Sequence, residues 1–353
     1  MKILITGGCG FIGSSLVKLL NSSNKNSVLN IDKLTYAANQ NNLAGIEGQK
    51  SYSFIQADIC DKSALSNIFK EFKPEIIYHL AAESHVDRSI DKPSAFIETN
   101  ITGTYNLLEA SLAFYKNLLP DQKKKFRFIH VSTDEVFGSL QTNDPAFNRR
   151  SSYKPRSPYS ASKASSDHLA KSWFHTYGLP TIISNCSNNY GPFQFPEKLI
   201  PLTIISCLNK TKIPIYGKGD NIRDWLYVGD HCEALKTIGE KGIVGETYMI
   251  GGNAEKTNLD IANFICQFFD NLLPNSDAAK YGNLIEFVAD RPGHDFRYAI
   301  DISQTTKEIG WVPKISFEEG LASTIKWYLK NKNWWKEIHN RSYKGERLGL
   351  NRL

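Results

Sequence analysis

The sequence predicts an α/β protein, a doubly wound parallel sheet with a smaller C-terminal lobe. Through residues 1–191 short apolar runs alternate with polar or helical stretches long enough for crossover connections. Beyond Gly191 and Pro192 this regularity gives way to segments such as PFQFPEKLIPL and DRPGHDFRYAID. The length of 353 residues also exceeds the roughly 250–300 at which one hydrophobic core stops growing.

The first strand is KILIT at residues 2–6, which ends in glycines and feeds a helix with apolar residues at helical spacing from 11 to 20. Further strands are expected at 28–31, 52–55, 76–80 and 126–131, then a helix at 159–177 and a strand at 181–185. Residues 1–191 are thus expected to form the cofactor domain, 192–330 mainly the substrate lobe, with 224–238 crossing back to the sheet, and 331–353 a basic tail.

Composition excludes other classes. With 41% hydrophobic and 22% charged residues the chain can bury a sizeable core, so general disorder is ruled out. The net charge is +6, but residues 330–353 carry seven Lys/Arg against two Asp/Glu, contributing +5 and leaving +1 elsewhere. A nucleic-acid binder would carry its basic stripe on a folded face, so no nucleic-acid partner is expected. Six cysteines, at least 21 residues apart, form no CxxC, which suggests free thiols in a reducing compartment and no zinc site. No apolar run approaches the ~18 residues of a membrane span. A cytoplasmic protein is expected, without membrane partner or metal.

Gly7, Gly10 and Gly13 in GGCGFIG fall between the first strand and its helix, with the GxxGxxG spacing of a dinucleotide fingerprint. The chain there must turn sharply, approach a pyrophosphate with its backbone and pack helix on strand, and the helix N-terminus offers N–H groups to the anion. The sheet is therefore read as Rossmann-type. Asp32 follows Gly13 by 19 residues, near the ~20 expected of a carboxylate that accepts from the adenosine ribose hydroxyls. A carboxylate there repels a 2′-phosphate, so NAD is expected rather than NADP. Asp58, ending the third strand, suits either the adenine amino group or a turn cap, and Leu80, Ala81 and Ala82 end the fourth strand where a cofactor would lie close to the backbone.

Tyr159 and Lys163 in YSASK stand four apart on a predicted helix, hence on one face. An ammonium beside a phenol favours phenolate and lowers a pKa from ~10. Tyr159 can then act as a base toward a sugar hydroxyl while a nicotinamide takes the hydride. Thr133, Asp134 and Glu135 follow the apolar run FRFIHVS, at the carboxyl end of the sheet where ligands bind in open α/β folds. One acid can reach a leaving hydroxyl and the other a proton on the next carbon, if their environments push the two pKa values apart. A solvated or helix-capping pair is the plainer reading of the same two residues.

GGCGFIG, NIDKLTYA, HLAAESHVDRSI, STDEV, SPYSASKASSDHLA, NCSNNYGP, FPEKLIP, PIYGKGDNIRDWLYV and DRPGHDFRYAID together resemble the nucleoside-diphosphoglucose 4,6-dehydratases of the extended short-chain dehydrogenases, above all those acting on dTDP-glucose. The resemblance covers about residues 1–330. It implies Tyr159 as base for the 4-hydroxyl, Lys163 as its tuner and ribose anchor, and Thr133 as a hydrogen-bond partner of that hydroxyl. It also implies Asp134 as acid toward the 6-hydroxyl and Glu135 as base at carbon 5. To the NAD contacts it adds Phe11, Ile12, Lys33, Leu34, Thr35, Ile59, Ser84, Thr99 and Asn188. It places substrate contacts at Ser84, Asn189, Lys198, Leu199, Pro214, Ile215, Tyr216, Arg223, Asn258, Asp290, Arg291, Pro292, Gly293 and His294. Arg223 and Arg291 suit a diphosphate physically, since a planar fork donates twice to its oxygens. Phe137 stands where that family usually has tyrosine, NRRSSYKPRS replaces a more acidic approach to the tyrosine helix, and the tail after 330 matches nothing assignable.

The implied reaction is dehydration of dTDP-glucose to the 4-keto-6-deoxy sugar nucleotide. UDP-glucose dehydration, 4-epimerisation, decarboxylation and a catalytically silent NAD sensor stand as alternatives. The resemblance further implies a homodimer through residues 93–115 and 159–177.

Overall fold

The computed structural model describes residues 1–23, 25–273, 279–343 and 345–349. Its strands are β1 (Lys2–Thr6), β2 (Ser27–Asp32), β3 (Tyr52–Gln56), β4 (Ile76–His79), β5 (Arg127–Thr133), β6 (Thr181–Cys186), β7 (Asn188–Tyr190), β8 (Ile213–Tyr216), β9 (Ile222–Tyr227), β10 (Thr247–Ile250), β11 (Glu255–Thr257) and β12 (Ile285–Val288). Seven of these form a parallel sheet in the order β10-β6-β5-β4-β1-β2-β3, the Rossmann-type α/β arrangement that the sequence predicts. Alternating side chains serve opposite faces of the sheet. Ile3 and Ile5 enter one apolar cluster with Leu16, Val17 and Leu20, whereas Leu4 enters another with Leu65, Ile68, Leu107 and Leu108. From β1 the chain winds outward to β2 and β3, then returns to β4 on the other side. That reversal opens a crevice at the carboxyl ends of the strands.

The return to the sheet is longer than residues 224–238. β9 belongs to a three-stranded sheet with β7 and β11; the helix Val228–Lys241 packs its Cys232, Leu235 and Ile238 into the central core, and β10 then pairs with β6. Tyr298, Ile300 and Trp311 join that core as well. The four-residue strand TYMI is too short for periodicity to separate from a buried turn of helix, which is why the sequence hid it. The remaining lobe packs Ile204, Ile261, Ile265, Leu321, Ile325 and Tyr328 into a core of its own. Residues 332–341 of the basic tail form a helix whose Trp335 is buried in that lobe, while Trp334 donates through Nε1 to Asn42 of the cofactor half at 2.7 Å. Residues 344 and 350–353 of the tail lie outside the described residues.

Two glycines fix the first turn. Gly7 has φ +74°, and a Cβ on it would stand 2.7 Å from the Ala81 nitrogen. A Cβ on Gly13 would come within 2.1 Å of the Gly7 carbonyl oxygen and 2.8 Å of the Gly8 Cα, backbone atoms that cannot swing aside. Gly13→Ala is therefore expected to lose about 1–3 kcal/mol or more of stability. A urea unfolding curve checks this; an unchanged midpoint would contradict the close helix–strand approach.

Candidate active site

A cavity of about 310 Å³ follows the crevice. Of the expected cofactor contacts, Gly7, Gly10, Phe11, Ile12, Gly13, Asp32, Lys33, Thr35, Asp58, Ile59, Leu80, Ala81, Ala82, Ser84, Thr99, Tyr159, Lys163 and Asn188 line it. Leu34 does not. Its backbone is left-handed at φ 61°, its N–H donates to Asp32 Oδ1 at 2.8 Å, and its side chain packs on the core. The other Asp32 oxygen accepts from Cys9 N–H at 2.9 Å, so two backbone donors aim the carboxylate. Burial pushes the Asp32 carboxyl up, and those two bonds pull against it. Asp58 takes the turn-capping role and also faces the cavity. It takes Lys33 Nζ at 2.6 Å and accepts from Cys60 N–H at 2.9 Å in the following turn. Burial would raise its pKa, but the Lys33 ammonium and the Cys60 bond hold it below the ordinary value.

These residues fit a dinucleotide. The first-turn N–H groups of a helix have no intrahelical partners, and here Phe11, Ile12 and Gly13 bring that turn to the cavity wall. A Cβ on Gly10 would meet only the Gly7 oxygen, at 3.4 Å, which leaves the space over the turn open for an anion.

Tyr159 and Lys163 sit one turn apart on the helix Pro158–Tyr177. Ser157 caps this helix by accepting from Ser160 N–H at 3.0 Å, Pro158 takes the first position, and Gly178 ends it at φ 69°. The Tyr159 ring is buried edge-on against Phe96, with centroids 6.2 Å apart. Burial pushes its phenol well above 10, Glu135 and Asp134 push the same way, and a hydrogen bond from Thr133 opposes them. The Lys163 ammonium donates to the Val131 carbonyl at 2.8 Å. The lowering of the phenol expected from Lys163 is thus not what the protein groups alone produce: burial, Glu135 and Asp134 raise it, and Thr133 is the group that opposes them.

Asp134 and Glu135 begin a 3-10 turn at the end of β5 and occupy different surroundings. Asp134 is 1% exposed, and Thr133 donates to its Oδ1 at 3.3 Å. Its Oδ2 has no hydrogen-bond partner among the described residues. Burial, and then the Glu135 charge, push this carboxyl well above the usual carboxylate range, so it favours the protonated form. Burial raises Glu135 too, but Arg291, Lys198 and Arg223 oppose it and favour the ionised form. Glu135 lines both the first cavity and a second one beside it. The two acids are therefore differentiated, as a division into acid and base requires.

The second cavity, about 430 Å³, is lined by Asn188, Asn189, Lys198, Leu199, Pro214, Ile215, Tyr216, Arg223, Asn258, Arg291 and His294. Ser84 and Thr133 line only the first cavity, and Asp290, Pro292 and Gly293 line neither. Asp290 acts one step back: its Oδ1 lies 2.7 Å from His294 Nδ1. Burial and the neighbouring arginines push His294 down to about 4, so the imidazole is neutral near pH 7. The Arg223 guanidinium donates to the carbonyls of Asp295, Ile222 and Phe296 and lies over the Tyr298 ring, with no carboxylate bonded to it among the described residues. Arg291 pairs with Asp87 at 2.9 Å. Two arginines and Lys198 facing one cavity supply the positive field that a diphosphate needs.

Sequence reasoning missed several walls of the site. Glu197 lines both cavities, paired with Arg88 at 2.8 Å and accepting from Tyr36 at 3.1 Å. Tyr343, Arg347 and Leu348 of the unassigned tail close the second cavity, where Arg347 donates to the Ala289 carbonyl at 2.7 Å. Phe137 packs on Phe147 and Tyr153 in the core and lines neither cavity. In the altered approach segment, Arg149 pairs with Glu246 and Glu308, both at 2.9 Å.

Comparisons with known proteins agree with this geometry. The family profile described as GDP-mannose 4,6 dehydratase matches residues 4–324. A dTDP-glucose 4,6-dehydratase of Escherichia coli is 53% identical, covering 99% of both chains. Among solved structures, the dTDP-glucose 4,6-dehydratase of Bacillus anthracis in complex with NAD superposes with a TM-score of 0.84 at 42% identity, over 96% of this chain and 99% of its own. The enzyme of that name from Streptomyces venezuelae, also with NAD bound, gives 0.86 at 39% identity, over 96% and 100%. With its glycine turn, YxxxK helix and adjacent carboxylates folded into one crevice, the chain belongs to the dTDP-glucose 4,6-dehydratases within the GDP-mannose 4,6 dehydratase family of extended short-chain dehydrogenases.

Proposed function

We propose that the chain converts dTDP-glucose to dTDP-4-keto-6-deoxyglucose, as an NAD-dependent hydro-lyase that oxidises, eliminates water and reduces in one turnover. The observation that carries this reading is the acidic pair in two different settings: Asp134 is buried with an oxygen that has no hydrogen-bond partner among the described residues, and Glu135 lines both cavities beside Tyr159, opposed by Arg291, Lys198 and Arg223. Epimerisation needs Tyr159 and Lys163 but no such pair.

Held by the glycine turn, Asp32 and Lys163 along the first cavity, NAD would supply the hydride acceptor needed at carbon 4 and the hydride donor needed at carbon 6. Tyr159 takes the proton of the 4-hydroxyl, and the Thr133 hydrogen bond stabilises the phenolate that must form. The resulting ketone acidifies the proton on carbon 5, which Glu135 removes. Asp134, the protonated partner, donates its proton to the departing 6-hydroxyl, which leaves as water. As hydride returns to carbon 6 of the 4-keto-5,6-ene, protonated Glu135, after exchange with solvent, gives a proton to carbon 5; the proton taken up by Tyr159 is released and Asp134 is reprotonated, which restores the starting states. Arg223, Arg291 and Lys198 hold the diphosphate.

Incubation with dTDP-glucose should yield a product lighter by one water, by mass spectrometry. Deuterium at carbon 4 should reappear at carbon 6 of the same molecule, and heavy water should label carbon 5. Formation of a 4-epimer of unchanged mass would refute the reading. Side-by-side kinetics with UDP-glucose measures the base preference, for which one methyl is worth only ~1–3 kcal/mol.

Asp32 selects the cofactor, since a 2′-phosphate would bring like charges together in a partly desolvated site. Denatured protein is accordingly expected to release NAD; recovery of mainly NADP would overturn the assignment. Among the described residues no helix is long and apolar enough to cross a membrane. We infer a cytoplasmic homodimer, a reading supported by six free cysteines among the described residues and by Ile97 and Tyr177, 48% and 49% exposed on the expected contact segments. Light scattering that gives a monomer mass would reject the dimer.

A further inference from the structure

Behind the reacting groups lies a buried carboxylate with no part in the proposed steps. Asp167 follows Tyr159 and Lys163 at the next four-residue interval of the same helix, so all three share one face. It is 0% exposed. Its Oδ2 accepts from Tyr153 Oη and from Asn185 Nδ2, each at 3.0 Å, and its Oδ1 lies 3.1 Å from His130 Nε2. The Asn185 amide that donates to Asp167 also donates to the carbonyl of Thr133 at 3.0 Å. Asp167 thus joins the helix carrying Tyr159 and Lys163 to the strand end carrying Thr133, Asp134 and Glu135.

A fully buried ion is costly unless paired and hydrogen-bonded. Among the described residues, the ammonium of Lys163 has a carbonyl, that of Val131, as its hydrogen-bond acceptor. Burial pulls its pKa down, and the Asp167 charge is the main influence that holds it up. The other titratable groups on these elements are poor substitutes. His130 is pushed down by burial and is neutral, as is His79 beyond it, whose ring lies 5.3 Å from that of His130. Burial pushes both the Cys186 thiol and the Tyr153 phenol up, so these groups too are uncharged.

We propose that Asp167 is a positioning residue of the proton-transfer machinery: it is the buried counter-charge of Lys163 and, through Asn185, the brace of Thr133. This rests on the dehydratase reading, but it also makes a claim of its own, since the network would hold Lys163 charged in any reaction that uses Tyr159. The test is the pH profile of the oxidation step with dTDP-glucose, read as the rate at which bound NAD is reduced, because Asp134 and Glu135 act in elimination and not in hydride transfer from carbon 4. Removing a negative charge near Lys163 lowers the lysine pKa, so in Asp167→Asn the alkaline limb should move to lower pH by about one unit or more. The acid limb and the KM for dTDP-glucose should stay near wild type, and Asp167→Glu should restore much of the alkaline limb. Folding is checked by retention of NAD. If Asp167→Asn does not fold, Tyr153→Phe, which removes one donor from the carboxylate, and Asn185→Ala, which cuts the link to Thr133, take its place. Asn185→Ala should lower kcat at every pH without loss of bound NAD.

A folded Asp167→Asn whose profile superimposes on wild type would overturn the proposal. So would wild-type kinetics in both substitute variants. A wild-type enzyme that makes no 4-keto-6-deoxy product would instead refute the function itself, so the two failures are distinguishable.

Discussion

Replacing Tyr159 by phenylalanine is expected to lower kcat for dTDP-glucose by ~100-fold or more, the usual scale of a lost general base. The variant is informative because the ring is held by packing against Phe96 and Val86, which phenylalanine keeps. What disappears is the hydroxyl that faces Thr133, so the loss should fall on kcat while the KM, set mainly by the second cavity, changes little. Lys163→Met should injure the same step. Protein groups alone hold the phenol well above 10, chiefly by burial. The Lys163 charge therefore matters most once the other charges of the bound complex are in place. Stopped-flow absorbance at the nicotinamide band separates the outcomes: with Tyr159→Phe, reduction of bound NAD should slow in parallel with turnover. Near-normal turnover would mean that the YxxxK helix is structural.

What the sequence disclosed and what it hid divide along one physical line. The glycine turn, Asp32, and Tyr159 with Lys163 were legible because local spacing puts them at the end of a strand or on one face of a helix, whatever surrounds them. For Leu34, nothing local revealed that its N–H would aim Asp32. Glu197 and the tail residues Tyr343 and Arg347 reach the cavities from chain positions more than 100 residues from the cofactor turn, where no short pattern operates. Asp167 is the instructive miss. Its four-residue spacing from Lys163 was as visible as that of Lys163 from Tyr159, but only the packing of β5 and β6 against the helix shows that its side chain faces inward. Phe137, the departure from the family's usual tyrosine, is likewise placed only by the fold, which packs it in the core beside Phe147.

Glu135→Gln should block elimination more than oxidation, with overall turnover down by ~100-fold or more, because Glu135 removes the carbon 5 proton but does not move hydride from carbon 4. On mixing with dTDP-glucose this variant should accumulate reduced cofactor on the enzyme, visible as a nicotinamide absorbance that decays slowly. Asp134→Asn should give the same signature, since it retains the shape of the buried carboxyl but cannot protonate the leaving hydroxyl. The sign of the pH dependence follows from the two environments. Glu135 works ionised and its pKa is raised, so elimination should rise as pH climbs through a value above the ordinary glutamate range. Asp134 works protonated and its carboxyl is pushed well above the ordinary aspartate range, so elimination should fall as it ionises. In Glu135→Gln the rising limb should vanish from the elimination step, and in Asp134→Asn the falling limb. Washout of the carbon 5 proton in heavy water divides their roles, because it should fail in Glu135→Gln and persist at a reduced rate in Asp134→Asn. If hydride transfer and proton washout were lost equally in both variants, the two carboxylates would be serving one step together, and the separate acid and base roles assigned to them would be wrong.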